Sequence, residues 1–157
     1  MLKNHSMKTT PSIRRWLPKS ALILFAFLTF IAIPPAKAAD PFDGTWAVVL
    51  TAPDFNYNSG TARGYVFRFD AEVKNGVLHG VEGKEGEPGS LSIDGKIKPD
   101  GTAELRAFGM VGHSDYAIGH IASGSSYGYL IKAHFEGSRG TGSRVGGRPI
   151  NFTFDKK

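Results

Sequence analysis

The chain contains no cysteine, so histidine, carboxylate and serine are the side chains best able to do chemistry. Beyond residue 39 the histidines are His79, His113, His120 and His134. A zinc site needs three or four converging donors, usually with short spacings on one element. His113 and His120 are seven residues apart and the others are scattered. This spacing predicts isolated surface or strand histidines and no metal site. Paired acids cleave glycosidic bonds, and Asp70 and Glu72 share one strand face. Arg68 and Lys74 surround them, however, and mixed charge of that kind reads as a solvated outer sheet face. Ser123-Gly124-Ser125-Ser126 lacks the G-x-S-x-G frame that presents a nucleophile. No glycine-rich turn leads from a strand into a helix, as a phosphate cradle requires. No catalytic residue and no cofactor are expected.

Two other groups of residues suit binding. Arg139, Arg144 and Arg148 lie in or just after a glycine-rich stretch, residues 137–147, which reads as a flexible hairpin loop. Guanidinium groups and backbone amides on such a loop can capture an anion or a partner protein, so these arginines form a candidate interaction loop. The plainer reading is a loop kept soluble by arginine. The aromatics Trp46, Tyr65, Phe67, Phe69, Tyr127, Tyr129, Phe135, Phe152 and Phe154 fall at alternate positions of strand-like runs. Alternation sends them to one interior. Most would be core. Trp46, Tyr65, Phe67, Tyr127 and Tyr129 are the candidate ligand contacts, with the tyrosines near strand starts lining a mouth and their hydroxyls needing partners.

The elements that must hold these residues are strands. There is no helical periodicity of useful length after residue 39, where all 20 glycines lie. Period-two runs occur at residues 44–51, 65–74, 77–82, 91–97, 102–108, 127–135 and 149–155, with a weaker one at 115–121. Residues 65–74 (YVFRFDAEVK) are the clearest. They put Tyr65, Phe67, Phe69, Ala71 and Val73 on one face and charge on the other. Asn75-Gly76 then predicts a type I′ hairpin turn, since both residues tolerate positive φ. In that register Val73 opposes Leu78 and Glu72 opposes His79. Pro99-Asp100-Gly101 is a second turn signal. Residues 52–64 read as a polar loop. About eight antiparallel strands, each with one apolar face, predict an all-β, up-and-down barrel, which leaves no open edge. A two-sheet sandwich is the alternative.

Phe42-Asp43-Gly44-Thr45-Trp46 resembles the opening strand of the calycin barrels, namely lipocalins, fatty-acid-binding proteins and avidins, in which Gly-x-Trp begins the first strand. The chain is also similar to small glycine-rich exported proteins of alphaproteobacteria. The calycin resemblance implies a barrel. It does not carry over the ligands: residues 52–64 are too short and polar for the helical pair of fatty-acid-binding proteins, and Trp46 is the single tryptophan after residue 39, where avidins use several.

Residues 1–38 read as a signal peptide. A basic stretch precedes a run of 13 apolar residues at 21–33, Pro34-Pro35 ends it, and Ala36-Lys37-Ala38 supplies the cleavage pattern. The run is short against the ~20 residues of a membrane helix. Trp16-Leu17-Pro18 after Arg14-Arg15 fits a twin-arginine signal poorly, so the general secretion route is expected, to the periplasm or outside the cell. With no cysteine after the run, a lipoprotein anchor is excluded. Six of the 19 Lys and Arg residues, and none of the 14 acidic ones, precede residue 39. Residues 39–157 thus carry 13 basic and 14 acidic side chains, so the basic pI belongs to the leader. That removes the case for nucleic acid, which needs a basic patch on the domain itself. With no disulfides, packing alone must hold about 119 residues together, which is enough for one core.

The expectation from these features is an exported, non-enzymatic barrel that binds a small apolar or aromatic ligand. A completely filled interior would exclude it. A protein-interaction module, such as an envelope protease or lysozyme inhibitor, is the alternative, with residues 52–64 and 137–147 as its contact loops. An outer-membrane barrel is disfavoured by strands shorter than ~9–11 residues, and no integral membrane span is expected after signal cleavage.

Overall fold

The computed structural model describes residues 40–157; the expected signal peptide at residues 1–38 lies outside them. Ten strands follow in order: β1 (Gly44–Ala52), β2 (Phe55–Tyr57), β3 (Gly60–Ala62), β4 (Tyr65–Lys74), β5 (Val77–Glu82), β6 (Leu91–Ile97), β7 (Thr102–Met110), β8 (Ser126–Glu136), β9 (Arg139–Arg144) and β10 (Asn151–Lys156). Eight of them close into one antiparallel barrel in the order β1-β10-β9-β8-β7-β6-β5-β4, with β4 returning to β1. Closure decides for the barrel over the sandwich. The small hairpin β2–β3 stands apart from it, within what reads in sequence as the polar loop 52–64.

Alternation sets the register. On β4, Phe69, Ala71 and Val73 are buried while Arg68, Asp70, Glu72 and Lys74 face out. Asn75 and Gly76 take φ of 53° and 73°, the left-handed pair of a type I′ turn. The turn pairs Val73 with Leu78 and Glu72 with His79, as the sequence predicts. Across the outer face Glu72, His79, Asp94 and Arg106 form a charged row over four strands. Asp70 meets Lys157 at 2.7 Å and Glu72 meets Lys74 at 2.9 Å. Such exposed pairs contribute little to stability. A lipid-facing barrel would present an apolar band there. Among the described residues no helix is long and apolar enough to cross a membrane.

Two sequence expectations fail. Residues 115–121 form no strand; they lie in a pair of short 3-10 turns, Ser114–Tyr116 and Ile118–His120. Gly119 and His120 have φ of 74° and 50°, and two left-handed residues in succession break an extended run. The stretch 137–147 is not a flexible loop, because most of it is β9, a full member of the barrel wall. Its inward positions are Gly140, Gly142 and Arg144. A Cβ on Gly140 would lie 2.7 Å from the Phe135 ring. The neighbouring strand fills the space in front of β9, so this strand carries no apolar alternation to detect. One expected strand is lost, and three unforeseen ones are gained: β9 in the barrel wall and β2 and β3 in the separate hairpin.

One end of the barrel is packed solid and is here called the base. Trp46 is completely buried and meets Phe135 edge-on at 5.3 Å. Phe135 in turn packs on Phe154 and Phe42, with centroids 4.9 and 6.0 Å away. The Trp46 indole Nε1–H donates to the Phe42 carbonyl at 2.9 Å, which satisfies its one buried polar group. The Gly76 N–H donates to Asp43 at 2.9 Å and holds that carboxyl below the usual carboxylate range. The segment leading into β1 is thereby tied across the base.

Candidate functional site

At the other end the inward side chains stop short of one another. They leave a cavity of about 630 Å3, within the size range of small-ligand pockets. β4 contributes Tyr65 and Phe67, and β8 contributes Tyr127 and Tyr129. In the barrel order β4 and β8 stand four strands apart in either direction. The two aromatic pairs therefore form opposite walls. Tyr65 and Phe67 lie 5.1 Å apart and are tilted by 50°. Tyr127 and Tyr129 lie 6.1 Å apart and are within 7° of parallel, so their wall is nearly flat.

The flat wall depends on what lies beside it. Tyr127 is adjacent to Gly109 of β7 in the register. A Cβ there would come within 2.6 Å of the Tyr127 hydroxyl, so a glycine lets the ring lie in against the sheet. The Tyr127 hydroxyl donates to the Ser90 carbonyl at 3.3 Å. Burial pushes the pKa values of Tyr65, Tyr127 and Tyr129 up. At Tyr65 the Arg148 and Arg144 charges pull partly back; Tyr127 and Tyr129 are pushed further by neighbouring phenols, with Arg144 pulling partly back at Tyr129.

Arg144, at the end of β9, and Arg148, in the connection to β10, also line the cavity. The Arg144 guanidinium sits 4.6 Å from the Tyr129 ring centroid, and that of Arg148 sits 5.1 Å from the Tyr65 ring, both within cation–π range. Arg148 is only 3% exposed. Its Nε donates to the Pro53 carbonyl at 3.2 Å and its Nη1 to the Tyr116 carbonyl at 2.8 Å. Its Nη2 is shared between the carbonyls of Pro53 and Arg63. Burial lowers the Arg148 pKa, with Tyr65 and Asp54 opposing and Arg144 adding to the shift. Among the described residues neither guanidinium has a carboxylate within ion-pair distance. The Tyr129 hydroxyl and the Arg144 Nε are both buried without a hydrogen-bond partner. An unsatisfied buried polar group costs about 1–3 kcal/mol.

The 3-10 turns form part of the rim. Tyr116 meets Tyr65 edge-on at 6.1 Å, and Ile118 and Ile121 add apolar surface. His113 and His120 flank Asp115 at 3.7 and 4.0 Å. Among the described residues no group of three histidines or acids is placed to hold a metal ion.

The cavity thus gathers four of the five aromatics expected to contact a ligand. Trp46 is the exception, because it sits in the filled base. The expected interaction loop is divided. Arg139 lies at the base end of β9, exposed and 4.0 Å from Asp155, while Arg144 and Arg148 join the tyrosines. Met110, Tyr116, Ile118 and Ile121 line the site without having been foreseen. The spacing of Tyr116, Ile118 and Ile121 was the available signal, but it resembles a strand as much as a rim. No family model, no curated protein and no solved structure matches this chain.

Proposed function

We propose that the chain is an exported, non-enzymatic binding barrel whose ligand is a small molecule with an apolar or aromatic body. The cavity walled by two opposed aromatic pairs carries this reading: a stable core has no need to leave about 630 Å3 open, because interiors otherwise pack closely. The calycin-like opening strand supports the same reading, since barrels of eight strands either fill or hold one small ligand. Export to the periplasm or beyond is supported by the basic stretch, the apolar run and the Ala-x-Ala pattern ahead of residue 39. The test is to express the full chain and purify the processed protein without detergent. Its native mass is compared with its denatured mass, and the neutral fluorophore N-phenyl-1-naphthylamine is titrated in. A retained small molecule, or saturable fluorescence enhancement weakened by Tyr127→Ala, is the expected result. A bare native mass together with no probe binding rejects the proposal.

A protein-interaction module is the second reading, and a surface feature favours it. Phe108 of β7, Leu130 of β8 and Val145, just after β9, are all exposed; Leu130 lies two residues along β8 from Gly128, the partner of Phe108, and its carbonyl accepts from the Val145 N–H. Capture of an envelope enzyme that is lost on Phe108→Asp would support it.

A further inference from the structure

We infer that the ligand is an anion with a planar aromatic or conjugated body, its negative group held by the Arg144 guanidinium and the Tyr129 hydroxyl. The inference rests on the binding reading above and specifies its chemistry.

Charge is the first consideration. Two guanidinium groups face one cavity; among the described residues no carboxylate lies within ion-pair distance of either, and Asp54 acts on Arg148 only from further away. Residues 1–39 contain no aspartate or glutamate, so that segment holds no carboxylate to supply a counter-charge. Buried charges are normally paired, and a charge without a protein partner is complementary to one on a ligand. A cationic ligand is disfavoured on the same ground.

The donors narrow the anion further. The Arg148 Nε and both of its terminal nitrogens already donate to backbone carbonyls. It contributes field and not a free edge. Arg144 has a buried Nε without a partner, and the Tyr129 hydroxyl beneath it is also unpartnered. One available guanidinium edge and one phenol suit a carboxylate or sulfonate, which takes a few directed hydrogen bonds. A phosphate monoester, with more charge and three acceptor oxygens, would outrun these donors.

Shape supplies the rest. The Tyr127–Tyr129 wall is nearly flat and faces Tyr65 and Phe67 across the full width of the barrel. Aromatic faces on both sides favour a ring system stacked between them. Arg144 lies over Tyr129, the ring of that wall nearer the base, where the head group of such a ligand would be held.

The experiment uses protein purified after expression of the full chain, loaded with N-phenyl-1-naphthylamine. It compares displacement by 2-naphthoate and 2-naphthamide at about pH 7, where the carboxylate is ionised. The two compounds share a body and differ in charge. Naphthoate should displace at a concentration about tenfold lower, the ratio expected of one charge-assisted hydrogen bond. Arg144→Gln should reduce that preference to within about twofold, read as the ratio of the two displacing concentrations. Tyr129→Phe, which keeps the ring, should lower the preference several-fold and serves if the arginine variant fails to fold. Equal displacement by the two compounds overturns the inference and leaves the binding reading intact, as does a preference that survives both substitutions. Failure of the neutral probe to bind the unsubstituted protein overturns the binding reading, and the inference with it.

Discussion

Tyr65, Tyr127 and Tyr129 are three phenols kept neutral by one apolar cavity, and burial raises the pKa of each. The unfolded chain releases these protons near pH 10, while the folded protein still holds them. Stability from this source is complete below about pH 10 and is lost as the pH rises through the higher folded values. In an alkaline titration the phenolate absorbance of these three groups should lag and then appear together with unfolding. Phenylalanine at all three positions should remove the lag. Normal ionisation with the fold intact would contradict the buried geometry. The aromatic walls were legible in the sequence because Tyr65 with Phe67, and Tyr127 with Tyr129, keep a strict period of two. Trp46 keeps that period as well, and alternation gives the face of a residue but not the end of the barrel it occupies. Arg144 and Arg148 looked like solvent-facing charge because basic residues among glycines usually are. Only the closure of β9 against β10 turns them inward.

The strands legible in advance are those whose inward residues have side chains. β4, β6 and β8 announce themselves through aromatic and branched residues at alternate positions. β9 presents glycines inward and polar residues outward, and its interior is occupied by Phe135 reaching over from β8. Hydrophobic periodicity cannot register a strand whose core contribution is empty space. The turns follow a similar logic. Gly101 and Gly137 both sit in base-end turns with positive φ, 81° and 57°. A Cβ on Gly101 would lie 2.1 Å from the Phe135 carbonyl oxygen, whereas one on Gly137 meets nothing within 4 Å. Gly137→Ala should cost about 1 kcal/mol, the strain of a left-handed alanine. Gly101→Ala should cost at least about 2–3 kcal/mol, because backbone cannot move aside as a side chain can. Urea unfolding of the two variants reads the difference, and equal losses would show that the Gly101 turn relaxes freely.

Over the whole molecule the interior is asymmetric, solid at the base and open at the mouth. Stability should follow that division. Trp46→Ala removes a completely buried side chain and should cost about 3–5 kcal/mol, while Ile121→Ala on the exposed rim should change stability by no more than about 0.5 kcal/mol. Thermal unfolding of both variants tests this, and a comparable loss from each would mean that the mouth carries as much of the fold as the base. The mouth has its own restraint. Arg148 joins the β9–β10 connection to the carbonyls of Pro53, Arg63 and Tyr116, three stretches distant from it along the chain. None of these can swing outward alone without breaking the same hub. The three stretches are therefore coupled through one side chain, and the ligand proposed above would leave only after that side chain's bonds loosen. Its residence time would then follow how often one guanidinium lets go, and not the looseness of any one loop.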